Sequence, residues 1–453
     1  MERIKLSDHF DYKKLLRFVF PSVVMLVFTS IYGIVDGFFV SNFAGELPFA
    51  ALNLIFPFIM ILGAVGFMLG TGGNAVISKA LGEGDNERAN RIFSMLVYAT
   101  IIIGAILSLT GILLAPQMAR LFASTEKNMS PENKEQLISY CTLYARIILS
   151  MLPAFMLQNA FQGFFVTAEK PRLGLYVTVL AGLGNIVFDA LFVAVFKWGL
   201  AGAALATALN QLIGGVLPII YFARKNDSLL RLGKASFDCK VFGRICINGM
   251  SELITNISLS LVAILYNAQL MRFVGILGVS AYGIMQYIGF IFIGVFIGYA
   301  VGVAPIIGFH FGAKNHDELK SILRKSLTLL FLGGLCMTLI AAGFAKYFAQ
   351  IFTNNDQKLL EITTYGMRIY AFSFLCTGVN IFASAFFTAL SNGGVSLFLS
   401  FARTCVLQVV FILILPIWLN VTGVWLSLVM AEICGLILSF ILLGLQNKHY
   451  HYF

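Results

Sequence analysis

Some polar side chains stand where an apolar chain should not place them. Of 21 acidic residues, Asp36, Asp189, Glu252 and Glu432 fall well inside long hydrophobic stretches. A carboxylate there is costly and normally faces a cavity or a partner. Asn185 and Asp189 are four residues apart, so they share one helix face. Asp36 lies in the first apolar stretch, and Thr207 and Asn210 lie in the sixth. If these helices meet, their oxygens form a cluster able to hold Na⁺. Alternatively, two carboxyls repelling each other hold a proton. Glu252 and Glu432 would attract a cationic substrate or form a second proton site, and Glu432 has a further reading, neutralisation of Arg403 one helix away. Gln158, Asn159, Gln286 and Asn380 complete the candidate substrate contacts.

Other chemistries find no support in the spacing. The seven Cys show no paired pattern, and five of them (Cys246, Cys336, Cys376, Cys405 and Cys434) sit in apolar stretches as small core residues. No CxxC or HExxH occurs, and His449 and His451 are the only paired histidines, so no metal site is expected. The glycine-rich GFMLGTGG (Gly66, Gly70, Gly72, Gly73) lacks the GK[ST] of a phosphate loop and reads as close helix packing. No protease-like or metal constellation supports an intramembrane enzyme. Aromatic residues, 14% of the chain, and 15 Met suit a cavity for flat, varied cations.

The elements that must position these residues are membrane helices. Of 453 residues, 59% are hydrophobic and 11% charged, against about 25% charged in soluble domains. Disorder and a soluble enzyme are both excluded. Apolar runs occupy roughly 18–43, 50–78, 92–118, 141–168, 173–196, 200–223, 245–270, 279–309, 323–348, 364–389, 395–418 and 422–445. Runs such as IIIGAILSLTGILLA do not alternate, which excludes a barrel and predicts an all-α membrane protein of twelve spans. Residues 1–17 mix Lys and Arg with Glu2, Asp8 and Asp11, and the run Phe18–Phe43 is too long for a signal peptide.

Charge and repetition organise the spans. With the N-terminus inside, 21 of the 31 Lys and Arg fall in inside segments and 7 outside, the latter being Arg120, Lys127, Lys134, Lys197, Arg272, Lys346 and Lys358. Arg146, Arg368 and Arg403 lie at or within spans. This bias places both termini in the cytoplasm. It also explains the net charge of +10 without a nucleic acid. Labelling is expected from outside at Asn128 and from inside at Ser236. A shift of 230 aligns Gly45 with Gly275, Gly72 with Gly302 and Gly82 with Gly312. A shift of 221 then aligns Asn159 with Asn380, Phe161 with Phe382 and Gly202 with Gly423. Six spans per half give a parallel repeat: an N-lobe over 1–223, a cytoplasmic linker over 224–244 and a C-lobe over 245–453. The intramembrane acids do not recur. Asp36 maps onto Tyr266, Asp189 onto Val410 and Thr207 onto Leu428. That asymmetry points to function rather than scaffold.

Over essentially its full length the chain resembles the multidrug and toxic compound extrusion (MATE) family. The resemblance rests on YGIVDGFFV around Asp36, GLGNIVFDALF around Asn185 and Asp189, GLAGAALAT ending at Thr207, and the paired ISKALGEGD and IIGFHFGAKN. It implies two pseudo-symmetric six-helix lobes forming an antiporter that exports organic cations in exchange for H⁺ or Na⁺. Asp36, Asn185, Asp189 and Thr207 match that family's N-lobe cation site. Some members carry an acid in the tenth span, where this chain has Asn380. The expectation is a monomeric, cofactor-free exporter of drugs in the plasma or inner membrane. The alternative is a flippase for lipid-linked oligosaccharide from the same wider superfamily. Its cavity should be basic to handle pyrophosphate, whereas the N-lobe spans here hold acids.

Overall fold

A computed structural model describes residues 4–124, 129–353 and 356–452. Glu2, Arg3, Lys127 and Asn128 lie outside them. The described residues contain helices and no strand. The spans are α1 (Tyr12–Ala44), α2 (Glu46–Gly82), α3 (Asn86–Ala123), α4 (Pro131–Ser150 and Leu152–Thr167, bent by 56°), α5 (Pro171–Val195) and α6 (Gly199–Ala223). They continue as α7 (Cys239–Phe273), α8 (Ile276–Gly312), α9 (His316–Gly343) and α10 (Gln357–Ala389).

A final apolar helical run covers Gly393–Tyr450, and it is two spans. Asn420 has φ 49° and ψ −130°, which breaks a helix. Ser427 Oγ donates to Phe411 O at 3.1 Å, although sixteen residues of straight helix would separate them by about 24 Å. A Cβ on Gly423 would lie 2.4 Å from Leu415 O. The chain therefore folds back on itself, giving α11 (393–419) and α12 (421–450) and twelve spans among the described residues.

Local signals explain the helix ends. Pro131 and Pro171 open helices at the first turn, where a missing N–H costs nothing. The bend in α4 falls at Met151, two residues before Pro153, whose ring cannot continue the preceding helix. The repeat is visible in these devices. Positive φ occurs at Gly45 and Gly275, at Gly84 and Lys314, and at Gly199 and Asn420. Asp85 caps Arg88 N, and Asn315 caps Glu318 N, 230 residues further on. Gly202 packs on Phe192 of α5 much as Gly423 packs on Leu415 of α11.

The chain divides into two compact units. One comprises Phe28–Ala80 and Asp85–Gly249; the other comprises the described residues of Met1–Val27, Leu81–Gly84 and Met250–Phe453. In the first, the polar segment 224–244 does not hang free. Arg231 N donates to Asn90 Oδ1 at 2.6 Å, Gly233 N to Ser94 Oγ at 3.0 Å, and Leu232 N to Phe222 O at 2.9 Å. These bonds dock the segment on the start of α3 and the end of α6.

Candidate cation-binding site

The first unit brings Asp36, Asn185, Asp189 and Thr207 together. α1 and α5 approach closely because Gly182 has no side chain: a Cβ there would sit 2.5 Å from Phe28 and 2.8 Å from Tyr32. Tyr32 lies one turn before Asp36, and Gly182 lies two turns before Asp189, so the contact aims both carboxyls at one point. Asn185 Nδ2 donates to Asp189 Oδ2 at 3.1 Å, and Thr207 Oγ1 donates to Asp36 Oδ1 at 3.3 Å. The two carboxyl groups are close enough to interact directly. Asp189 is 0% exposed and Asn185 1%, whereas Asp36 and Thr207 are partly exposed. Immediately after Asp189, residues Ala190–Val195 form wider π-type turns, a local departure common at functional sites.

The hydrogen-bond ledger of this cluster does not close. Asp189 Oδ1 is buried without a partner, and so is Asn210 Oδ1 on α6. Two side-chain donors, Asn185 and Thr207, reach the four carboxyl oxygens. Two negative charges side by side, one of them wholly buried, call for a proton or a metal cation between them. Tyr32, one turn before Asp36, and Tyr144 lie within electrostatic reach of the pair. Among 16 tyrosines, only Tyr32 had a signal in the sequence, its four-residue spacing from Asp36.

The other candidates divide between the units. Gln158 and Asn159 belong to the first. Gln158 lies against Gly214, whose Cβ would be 2.6 Å away, and Asn159 Nδ2 bonds back to Phe155 O at 3.0 Å. Glu252, Gln286, Asn380 and Glu432 belong to the second. Arg403 Nη1 donates to Glu432 Oε1 at 2.8 Å, and Asn380 Nδ2 donates to Glu432 Oε2 at 2.7 Å. Ser439 Oγ completes the network by donating to Asn380 Oδ1 at 3.0 Å. Glu252 is partly exposed and lies within the electrostatic reach of Arg403. Tyr370 donates to Gln286 Oε1 at 3.3 Å, and Tyr266 stacks on Tyr282 with ring centres 5.0 Å apart. The position equivalent to Asp36 is thus an aromatic face.

The MatE family model matches residues 21–191 and 253–414. The chain belongs to the MatE family, and its apolar helices make it a multi-pass membrane protein. It is 24% identical over 449 residues to the multidrug export protein MepA of Staphylococcus haemolyticus, covering 96% of this chain and 94% of that one. MepA of Staphylococcus aureus (strain NCTC 8325 / PS 47) is 23% identical over 448 residues, with the same coverage. A crystal structure of a MATE protein in complex with MaL6 superposes with a TM-score of 0.92 at 22% identity, covering 100% of both chains. A MOP superfamily transporter from Pyrococcus furiosus Vc1, described as having a binding pocket of reversed polarity, gives 0.90 at 22% identity, covering 100% of this chain and 99% of that one. At these identities the structural likeness defines the fold.

Proposed function

We propose that this protein is a multidrug efflux antiporter that exports organic, mostly lipophilic cationic compounds in exchange for H⁺ or Na⁺ by alternating access. The observation that carries the reading is the Asp36–Asp189 pair, with Asp189 Oδ1 buried and unmatched. Such a pair takes up one positive charge, as a proton or as Na⁺ held also by Thr207 and Asn210 oxygens. Gain or loss of that charge changes how closely α1, α5 and α6 pack, and so favours one conformation over another. The names of the MepA relatives support export of drugs. Arg403, the one buried Lys or Arg among the described residues, already has its charge matched by Glu432. That favours a cationic cargo over the pyrophosphate of a lipid-linked oligosaccharide. Glu252 supplies the further acid that a cationic drug would meet. The protein works as a monomer in the plasma or inner membrane, with both termini cytoplasmic.

Efflux of an ethidium-like cation from proteoliposomes tests this reading, with a pH gradient and a Na⁺ gradient imposed separately. Uphill export under one of them is expected. Absence of export under both, alongside lipid-diphosphate translocation, would instead establish the flippase.

A further inference from the structure

At the end of α6 the chain builds a cavity of about 750 Å³. Its floor is apolar, from Leu217 and Ile220, and Ile220 is 41% exposed. Its rim carries Arg224, Lys225 and Arg231. Asp227, the one acid of the lining, is held by Lys170 Nζ at 2.7 Å. Arg224, Lys225 and Arg231 have no ion-pair partner among the described residues. Three positive charges therefore stand uncompensated beside exposed hydrocarbon, where a span meets the membrane boundary.

The cavity is preformed. Asn226 Nδ2 donates to Tyr221 O at 3.1 Å and to Arg224 O at 3.0 Å, while Asn226 Oδ1 accepts from Ser228 Oγ at 2.6 Å. Arg231 Nη2 donates to Asn226 O at 3.0 Å, which holds the guanidinium over the rim. The backbone on either side is pinned by the bonds to Asn90 and Phe222 described above.

The repeat supplies an internal comparison. A second cavity, of about 540 Å³, lies at the corresponding end of α12 and includes Leu445 and Gln446 in its lining. A shift of 221 carries Arg224 and Lys225 onto those two uncharged residues. That second lining does carry Lys448 and His449, but at other positions, and it lacks counterparts of Leu217 and Ile220, so the Arg224–Lys225 pair beside an apolar floor belongs to the first half.

We infer that the cavity at the end of α6 binds one anionic phospholipid, with the phosphodiester between Arg224, Lys225 and Arg231 and the acyl chains along Leu217 and Ile220. Basic residues at a membrane surface attract anionic headgroups in this way, and guanidinium groups fit phosphate oxygens two at a time. A free phosphate would use the rim and leave the floor idle, so the apolar floor selects a lipid.

The test uses full-length protein in neutral detergent, titrated with phosphatidylglycerol, phosphatidylcholine or inorganic phosphate. Bound lipid is counted by native mass spectrometry. Phosphatidylglycerol should be retained in preference to phosphatidylcholine. Arg224→Gln/Lys225→Gln/Arg231→Gln should weaken it by roughly 150-fold, taking the usual contribution of each basic residue. Arg224→Gln/Lys225→Gln removes no internal bond and should weaken it by roughly 30-fold. Lys314→Gln/Lys320→Gln/Arg324→Gln, which lowers charge equally elsewhere, should leave binding unchanged. The inference is overturned by equal retention of phosphatidylcholine, by displacement of the lipid with millimolar phosphate, by an equal loss in the control variant, or by unchanged binding in Arg224→Gln/Lys225→Gln.

Discussion

Arg403 on α11 and Glu432 on α12 face each other across the α11–α12 hairpin, with Nη1 and Oε1 2.8 Å apart. The side chains are 9% and 3% exposed, and Asn380 holds the other carboxyl oxygen. Removing one partner strands the other charge in the protein interior, which commonly costs about 3–5 kcal/mol. Arg403→Leu alone should therefore lower the unfolding temperature far more than Arg403→Leu/Glu432→Leu. Thermal unfolding in detergent measures both, and equal losses would show that the pair is not coupled.

Asp36→Asn and Asp189→Asn remove one charge each and keep the hydrogen bonds to Thr207 and Asn185 open to satisfaction. Both variants should fold, bind an organic cation with modest weakening, and lose uphill efflux by roughly tenfold or more, within the ordinary range of coupling energies. Glu252→Gln should instead weaken cation binding while leaving efflux coupled to the gradient. Gradient-driven efflux beside equilibrium binding separates the two patterns. Near-normal uphill efflux by Asp36→Asn would move the coupling site elsewhere.

Gly423 and Gly202 occupy matching places in two hairpins, but not equally tight ones. A Cβ would lie 2.4 Å from Leu415 O at Gly423 and 3.0 Å from Phe192 at Gly202. Overpacking of this kind typically costs about 1–3 kcal/mol. Gly423→Ala should be the more destabilised of the two in thermal unfolding, and the reverse order would contradict the hairpin geometry.

The orientation is open to labelling in a background without the seven native cysteines. Ser236→Cys, exposed in the docked segment, should react in intact cells only after permeabilisation. Glu132→Cys, exposed at the start of α4, should react directly. The opposite pattern would invert the topology.

The sequence makes the spans legible because their hydropathy is continuous, and the repeat legible because turn residues such as Gly45 and Gly275 recur. The Asp36–Asp189 cluster was legible too, since charge inside hydrocarbon is conspicuous and Asn185 sits one turn from Asp189. The Arg403–Glu432 alternative could be named in advance, but nothing in the spacing shows that Asn380 joins them, because that contact depends on how α10 packs against α12. The Tyr266–Tyr282 stack was equally hidden, as aromatic residues are too frequent here for any one to stand out. The docking of 224–244 escaped for a different reason: it rests on single polar side chains of α3, Asn90 and Ser94, whose partners are backbone amides.

The α11–α12 hairpin has a consequence for biogenesis. Residues 404–431 carry no charged side chain. An emerging chain offers the insertion machinery no polar loop to hold back, only an uncharged stretch longer than the ~20 residues of one crossing. Asn420 and Gly423 mark the reversal, so until the chain folds back the two spans are one continuous apolar stretch. Arg403 and Glu432 bracket that stretch, and neither is matched until both arms are in place. A hairpin slipped by one turn would leave two opposite charges unpaired in the protein interior.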